Sequence, residues 1–174
     1  ENIVFLDSSY TEILEGVDAG RISINRTDIQ IIDFGLSIKL ARDELRTDTR
    51  RGTRYYRAPE MCLGLPWSKP IDMWAVGCVL FELYIESPLI PGRDNSMLLA
   101  MMEHVLGPFP RNMIRDSPLG EQVFTPEGLV IQDDLTIEAA EGDCEPLEDS
   151  FPDGEIDEQD FELYRLLRRL LEYQ

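Results

Sequence analysis

The chain has 174 residues, with 34 Asp and Glu against 16 Lys and Arg and a net charge of -18, enough for one domain with a core or for the larger part of a bigger one. Residues 119–174 carry the imbalance, with 17 acidic residues against only Arg165, Arg168 and Arg169, so this surface repels nucleic-acid phosphates and attracts basic peptides. Direct nucleic-acid binding is disfavoured, and no apolar run of membrane-spanning length is present, since residues 73–90 are interrupted by Glu82 and Glu86. Cys62, Cys78 and Cys144 are widely spaced and odd in number, which suits the reducing cytoplasm or nucleus better than a disulfide framework or zinc site. The sequence begins at Glu1 and ends inside an apolar-periodic segment, and it reads as part of a longer protein.

Two short apolar runs, 3–6 and 29–32, predict strands joined by a long polar loop. Residues 46–57 hold five arginines without apolar periodicity, which predicts an exposed basic loop. The segment KPIDMWAVGCVLFELY, 69–84, is apolar nearly all round and predicts a helix buried on most sides, ended by Pro88 and Pro91. A second helix is expected over 95–106, capped by Asn95 or Ser96 and stopped by Gly107 and Pro108. Residues 109–156 are rich in Pro, Gly and acid with little period, and 119–156 is read as an acidic insert. A third helix is expected over 160–173, with Phe161, Tyr164, Leu167 and Leu171 on one face.

Asn2 precedes the first predicted strand and Asp33 follows the second. If these strands pair antiparallel, the start of one lies beside the end of the other, so an amide oxygen meets a carboxylate. Magnesium takes oxygen ligands of this kind, usually one or two from protein and the rest from phosphates and water. Gly35 lets the chain turn sharply and approach a phosphate-bearing ligand. An Asp-Phe-Gly tripeptide alone is weak, because its default reading is a turn after a strand.

The pattern strengthens when DFG at 33–35 is followed in order by RYYRAPE at 54–60, IDMWAVG at 71–77 and PLIPGRDN at 88–95. Over residues 1–117, and more weakly over 157–174, the sequence resembles the C-terminal lobe of a eukaryotic protein kinase of the CMGC group. LLAMMEHVLGPFPRNMI, 98–114, is similar to the LAMMER kinase signature, with His104 where that family has Arg. PLIPGRDN looks instead like the dual-specificity tyrosine-regulated and pre-mRNA-processing kinases, so the subfamily stays open.

The resemblance implies a mainly α fold, a kinase-like large lobe with a short β-hairpin, as an incomplete domain. Within a partial kinase domain spanning 1–174, residues 1–60 would form the metal-binding hairpin and the activation segment. Asn2 and Asp33 would hold Mg2+, with Gly35 beside the ATP phosphates, and the catalytic Asp, glycine-rich loop and strand lysine would lie upstream of Glu1. Thr53 would support that Asp. Arg54 and Arg57 would serve the activation segment and substrate. Glu60 would pair with an arginine falling past Gln174, and Asp72 would hold the catalytic loop backbone. Arg50, Arg51 and Arg54 either bind a phosphate on Thr47 or Thr49 or form a solvated loop. The function implied is an ATP-dependent serine/threonine kinase acting on protein substrates, with a pseudokinase scaffold that binds basic partners as the rival. The run 133–162, with 14 carboxylates and no base, is either a solvated insert or a docking surface for Arg/Ser-rich proteins.

Overall fold

The computed structural model describes residues 2–14, 20–47, 52–151, 156–158 and 160–173. The chain divides into two compact units, residues 1–39 and 40–174. In the first unit, strands β1 (Ile3–Phe5) and β4 (Ile29–Ile31) pair antiparallel, with Ile3 opposite Ile31 and Phe5 opposite Ile29. The connection is not a plain loop. It folds into a second antiparallel pair, β2 (Tyr10–Glu12) with β3 (Ile22–Ile24), where Tyr10 faces Ile24. Asn25 closes this pair by accepting from the Thr11 hydroxyl at 2.8 Å and donating to Ser9 Oγ at 3.1 Å. These strands are three residues long and leave Ile22, Ile29 and Ile31 exposed, so backbone pairing and turn chemistry hold them rather than a core of their own.

The second unit contains the core and seven helices among the described residues, in agreement with a mainly α fold. Helix α1 is Pro59–Cys62, and α2 is Pro70–Ile85, begun by Pro70, whose missing N–H is harmless in a first turn. Glu86 ends α2 in the left-handed region at φ 65°, two residues before Pro88. Only one side of α2 is buried, through Trp74, Gly77, Cys78 and Phe81, while Met73, Val76, Leu83 and Tyr84 are exposed. The helix enclosed on most sides is instead α3 (Asn95–Leu106), where Leu98, Ala100 and Met101 are 0% exposed. Apolar composition measures what a helix can bury; the neighbours packed against it decide what it does bury. The cap of α3 is Asp94, one residue before the expected position, whose carboxylate accepts the Met97 N–H at 2.9 Å.

The segment read as an acidic insert, 119–156, and the residues just before it are packed into the core over their described residues, 109–151. They form α4 (Arg111–Asp116), α5 (Gly120–Val123) and α6 (Asp134–Asp143), and they send Phe109, Met113, Phe124, Val130, Leu147 and Phe151 into the same core as α2 and α3. Two bonds stitch the segment to α3: Glu103 Oε2 accepts the Val130 N–H at 3.0 Å, and Leu147 N–H donates to the Val105 carbonyl at 2.9 Å. Helix α7 (Asp160–Leu170) packs on α2 with Leu167 buried and Leu171 following it into the core, whereas Phe161 stays half exposed. A Cβ at Gly77 would stand 2.9 Å from Leu171 Cδ2, so the glycine permits this approach. Tyr173 completes the packing: its ring stacks on Phe109 with centroids 4.5 Å apart, and its hydroxyl donates to the carbonyls of Met102 and Gly107. The three cysteines are free and buried, with thiols pushed up to about 12, first by desolvation.

Candidate active site

The β1–β4 ladder brings the first two candidate residues together within one unit. It runs one rung past β1, where the Ile32 N–H donates to the Asn2 carbonyl at 2.9 Å, and Asp33 is the next residue. Asp33 leaves the strand in the left-handed region, φ 59° and ψ 69°, and opens a single 3-10 turn over Phe34–Leu36. An Asp tolerates that conformation because its short side chain bonds locally, and here Asp33 Oδ1 accepts the Gly35 N–H at 3.2 Å. A Cβ on Gly35 would stand 3.1 Å from the same oxygen, so glycine leaves the carboxylate free to take this position. One carboxylate and one amide oxygen, both exposed at the same end of a ladder, fit the hard, oxygen-preferring donor set of a magnesium–nucleotide complex, in which phosphates and water fill the remaining positions.

The second unit holds the other candidates. Thr53 is exposed just ahead of a 3-10 turn over Arg54–Tyr56, and its carbonyl accepts the Tyr56 N–H at 3.2 Å. Arg54 donates to the Arg93 carbonyl, and Arg57 reaches Asn95 Oδ1 at 3.3 Å and the Gly52 carbonyl at 3.4 Å, so both arginines brace the chain entering α1 against the start of α3. Arg57 Nε is buried, and among the described residues it has no hydrogen-bond partner. Thr47 is exposed; Thr49, Arg50 and Arg51 lie outside the described residues. Asp72 stands exposed in the first turn of α2, where a carboxylate complements the helix dipole, and among the described residues no backbone donor reaches its side chain.

Glu60, in the first turn of α1, is half-buried, and among the described residues its carboxylate has no ion-pair partner. Desolvation holds its pKa above the usual carboxylate range, only partly opposed by its own backbone N–H. A raised folded-state pKa means the protonated form is the better accommodated one, so the associated stability is full below the unfolded value near 4.5 and is lost as pH rises through the folded value. Glu60→Gln in this chain is therefore expected to raise the melting temperature at pH 7 and to flatten its pH dependence above the unfolded value. A lower melting temperature at pH 7 would mean that the ionised carboxylate has a favourable partner.

One contact was not legible in the sequence. The Tyr56 hydroxyl donates to Glu82 Oε2 at 2.7 Å, tying the turn before α1 to the last turn of α2. Apart from Asp72 in its first turn, Glu82 is the one charged residue of α2, and a carboxylate set among apolar residues is the signal that points to a specific donor.

A family model described as a protein kinase domain matches residues 21–173. The chain belongs to the protein kinase family. The serine/threonine-protein kinase Doa of Drosophila melanogaster is 36% identical over 181 residues, covering 100% of this chain and 21% of Doa. Human dual specificity protein kinase CLK2 is 35% identical over 178 residues, covering 100% of this chain and 34% of CLK2. A crystal structure of a kinase domain superposes with a TM-score of 0.76 at 28% identity, covering 99% of this chain and 52% of that one. This kinase chain thus spans about a fifth to a third of the length of these curated relatives. Their CLK and Doa character sets it in the CMGC group, beside the LAMMER kinases, to whose signature the stretch 98–114, running from α3 into α4, is similar. The kinase-domain match contains Asp33, Thr53, Arg57, Glu60 and Asp72, and the alignment to Doa extends over Asn2 as well.

Proposed function

We propose that the protein containing this chain is an ATP- and Mg2+-dependent protein serine/threonine kinase of the CMGC group, acting on basic, Arg/Ser-rich protein substrates in the nucleus or cytoplasm. The observation that carries the reading is the β1–β4 register, which sets Asn2 and Asp33 beside one another at one end of a ladder. Magnesium, when bound, neutralises charge on the ATP phosphates. The chain's own part is to hold oxygen donors in place: Asp33 through its bond to the Gly35 N–H, Asn2 through the rung to Ile32. The Thr53 hydroxyl, exposed before the Arg54–Tyr56 turn, is free to steady a catalytic aspartate. Arg54 and Arg57 brace the turn leading into α1, beside which a substrate backbone would lie.

The whole protein, incubated with ATP and a serine-containing basic peptide, is expected to transfer phosphate with Mg2+ present, to stop on chelation and to resume when Mg2+ is restored. Retention of basic-peptide binding with no transfer under any metal condition would leave the scaffold reading and remove the enzymatic one.

A further inference from the structure

The turn over Arg54–Tyr56 lies between two residues that the proposed function uses, Thr53 before it and Arg57 after it. Two backbone bonds close it, from the Tyr56 N–H to the Thr53 carbonyl at 3.2 Å and from the Arg57 N–H to the Arg54 carbonyl at 3.1 Å, so these residues shift as one piece. The arginines hold the turn only from outside. Their bonds to the Arg93 carbonyl, to Asn95 and to the Gly52 carbonyl are exposed, where water competes for each partner. Tyr56 holds it from within: Arg54 and Tyr55 are exposed, whereas the Tyr56 side chain packs against the core.

Packing alone would not fix the turn, because apolar contact is non-directional and lets a ring slide along the surface it covers. The bond from the Tyr56 hydroxyl to Glu82 Oε2 at 2.7 Å supplies the missing direction, and a charged acceptor makes it one of the stronger kind. The acceptor stands on stiff backbone. Cys78 and Phe81, four residues and one residue before Glu82, are buried, and the Glu82 carbonyl itself accepts the Glu86 N–H at 2.9 Å where α2 ends.

We propose that Tyr56 is a positioning residue for phosphate transfer: its bond to Glu82 sets where the Arg54–Tyr56 turn rests on α2, and with it the place of the Thr53 hydroxyl and of a substrate backbone beside Arg57. The proposal rests on the reading that the protein is a kinase, and it names a residue that acts through its neighbours rather than on the substrate. Misplacement by ~1 Å, even from a change remote from the chemistry, can cost about a hundredfold in rate, so a single bond of this kind is measurable in turnover.

The test is steady-state kinetics of the whole protein with ATP, Mg2+ and a serine-containing basic peptide, for Tyr56→Phe, Glu82→Leu, Glu82→Gln and the double variant Tyr56→Phe with Glu82→Leu. Tyr56→Phe keeps the packed ring and removes the hydroxyl alone. Leucine suits a helix as well as glutamate does, and glutamine keeps an oxygen that can accept from Tyr56. The peptide kcat/KM is expected to fall about tenfold in Tyr56→Phe and in Glu82→Leu, the scale of one hydrogen bond to a charged group. Since both changes delete the same bond, the double variant should fall no further than either single one. Glu82→Gln should stay within about threefold of normal, a neutral bond replacing a charge-assisted one, and the KM for ATP should be unchanged throughout.

Full activity in Tyr56→Phe, additive losses in the double variant, or a KM for ATP that rises alongside the peptide loss would overturn the positioning role, the last because it marks a general loss of structure. A drop in Glu82→Gln as deep as in Glu82→Leu, with Tyr56→Phe unaffected, would overturn it too, by showing that the Glu82 charge acts on the substrate directly. No transfer by the unmodified protein would remove the kinase reading and this role with it.

Discussion

Asp33→Asn is expected to lower phosphotransfer by the whole protein by about a thousandfold, the upper end of what removing one preorganised electrostatic group costs, without loss of fold. The substitution is close to isosteric and keeps Oδ1, the atom that accepts the Gly35 N–H. The backbone is equally undisturbed, because position 33 sits at φ 59° and Asn is among the non-glycine residues most at ease in the left-handed region. Only the negative charge is removed. A carboxylate at the end of the β1–β4 ladder attracts a hard divalent cation, whereas a neutral amide offers a far weaker ligand. The thermal midpoint should therefore match the unmodified protein while the Mg2+ concentration needed for half-maximal activity rises. Turnover within a few-fold of normal at low Mg2+ would sink the assignment of Asp33 as a metal ligand.

That the turn at Asp33 was legible in the sequence, and much else was not, follows from where each signal is stored. The DFG turn and RYYRAPE are contiguous, and their chemistry depends on neighbours two or three residues away, such as Asp33 with Gly35 or Thr53 with Tyr56. The placement of Asn2 beside Asp33 needed one further premise, antiparallel pairing, and the observed register of Ile3 with Ile31 meets it. The β2–β3 pair was missed because each strand is three residues long and Tyr10 and Ile24 are exposed, so no buried face imposes an alternating pattern. The core packing of the described residues in 119–156 was not legible for a different reason. Its core anchors, Phe124, Val130, Leu147 and Phe151, lie at irregular intervals because short helices and turns carry them, and periodicity cannot detect burial that is not periodic. The Tyr56–Glu82 bond spans 26 residues and belongs to tertiary structure alone. Acidic composition, meanwhile, points to exposed side chains such as Glu121, Glu127 and Glu138 and says nothing about the apolar residues beneath them.

The consequence of building that segment into the core is a large effect at a residue with no side chain. Gly120 opens α5, and a Cβ there would stand 2.4 Å from the Ile114 carbonyl oxygen, on the last turns of α4. Unlike a flexible side chain, this oxygen belongs to backbone fixed on both sides: Met113 is buried, and the Ser117 hydroxyl donates to the Leu63 carbonyl at 2.8 Å while accepting the Leu119 N–H. The clash can be relieved only by moving α4 or α5 as a unit, which in turn disturbs Phe124 at the end of α5 and its edge-to-face contact with Phe109. Overpacking of this kind costs about 1–3 kcal/mol, and the backbone origin of the clash sets Gly120→Ala at the upper end. The companion change Gly142→Ala meets open space within α6, and it should instead stabilise by up to about 1 kcal/mol through helix propensity. Urea unfolding of the two variants separates the readings of 119–156: a solvated insert would give no loss for Gly120→Ala, whereas a segment packed into the common core gives opposite shifts in midpoint for the same Gly-to-Ala exchange made 22 residues apart.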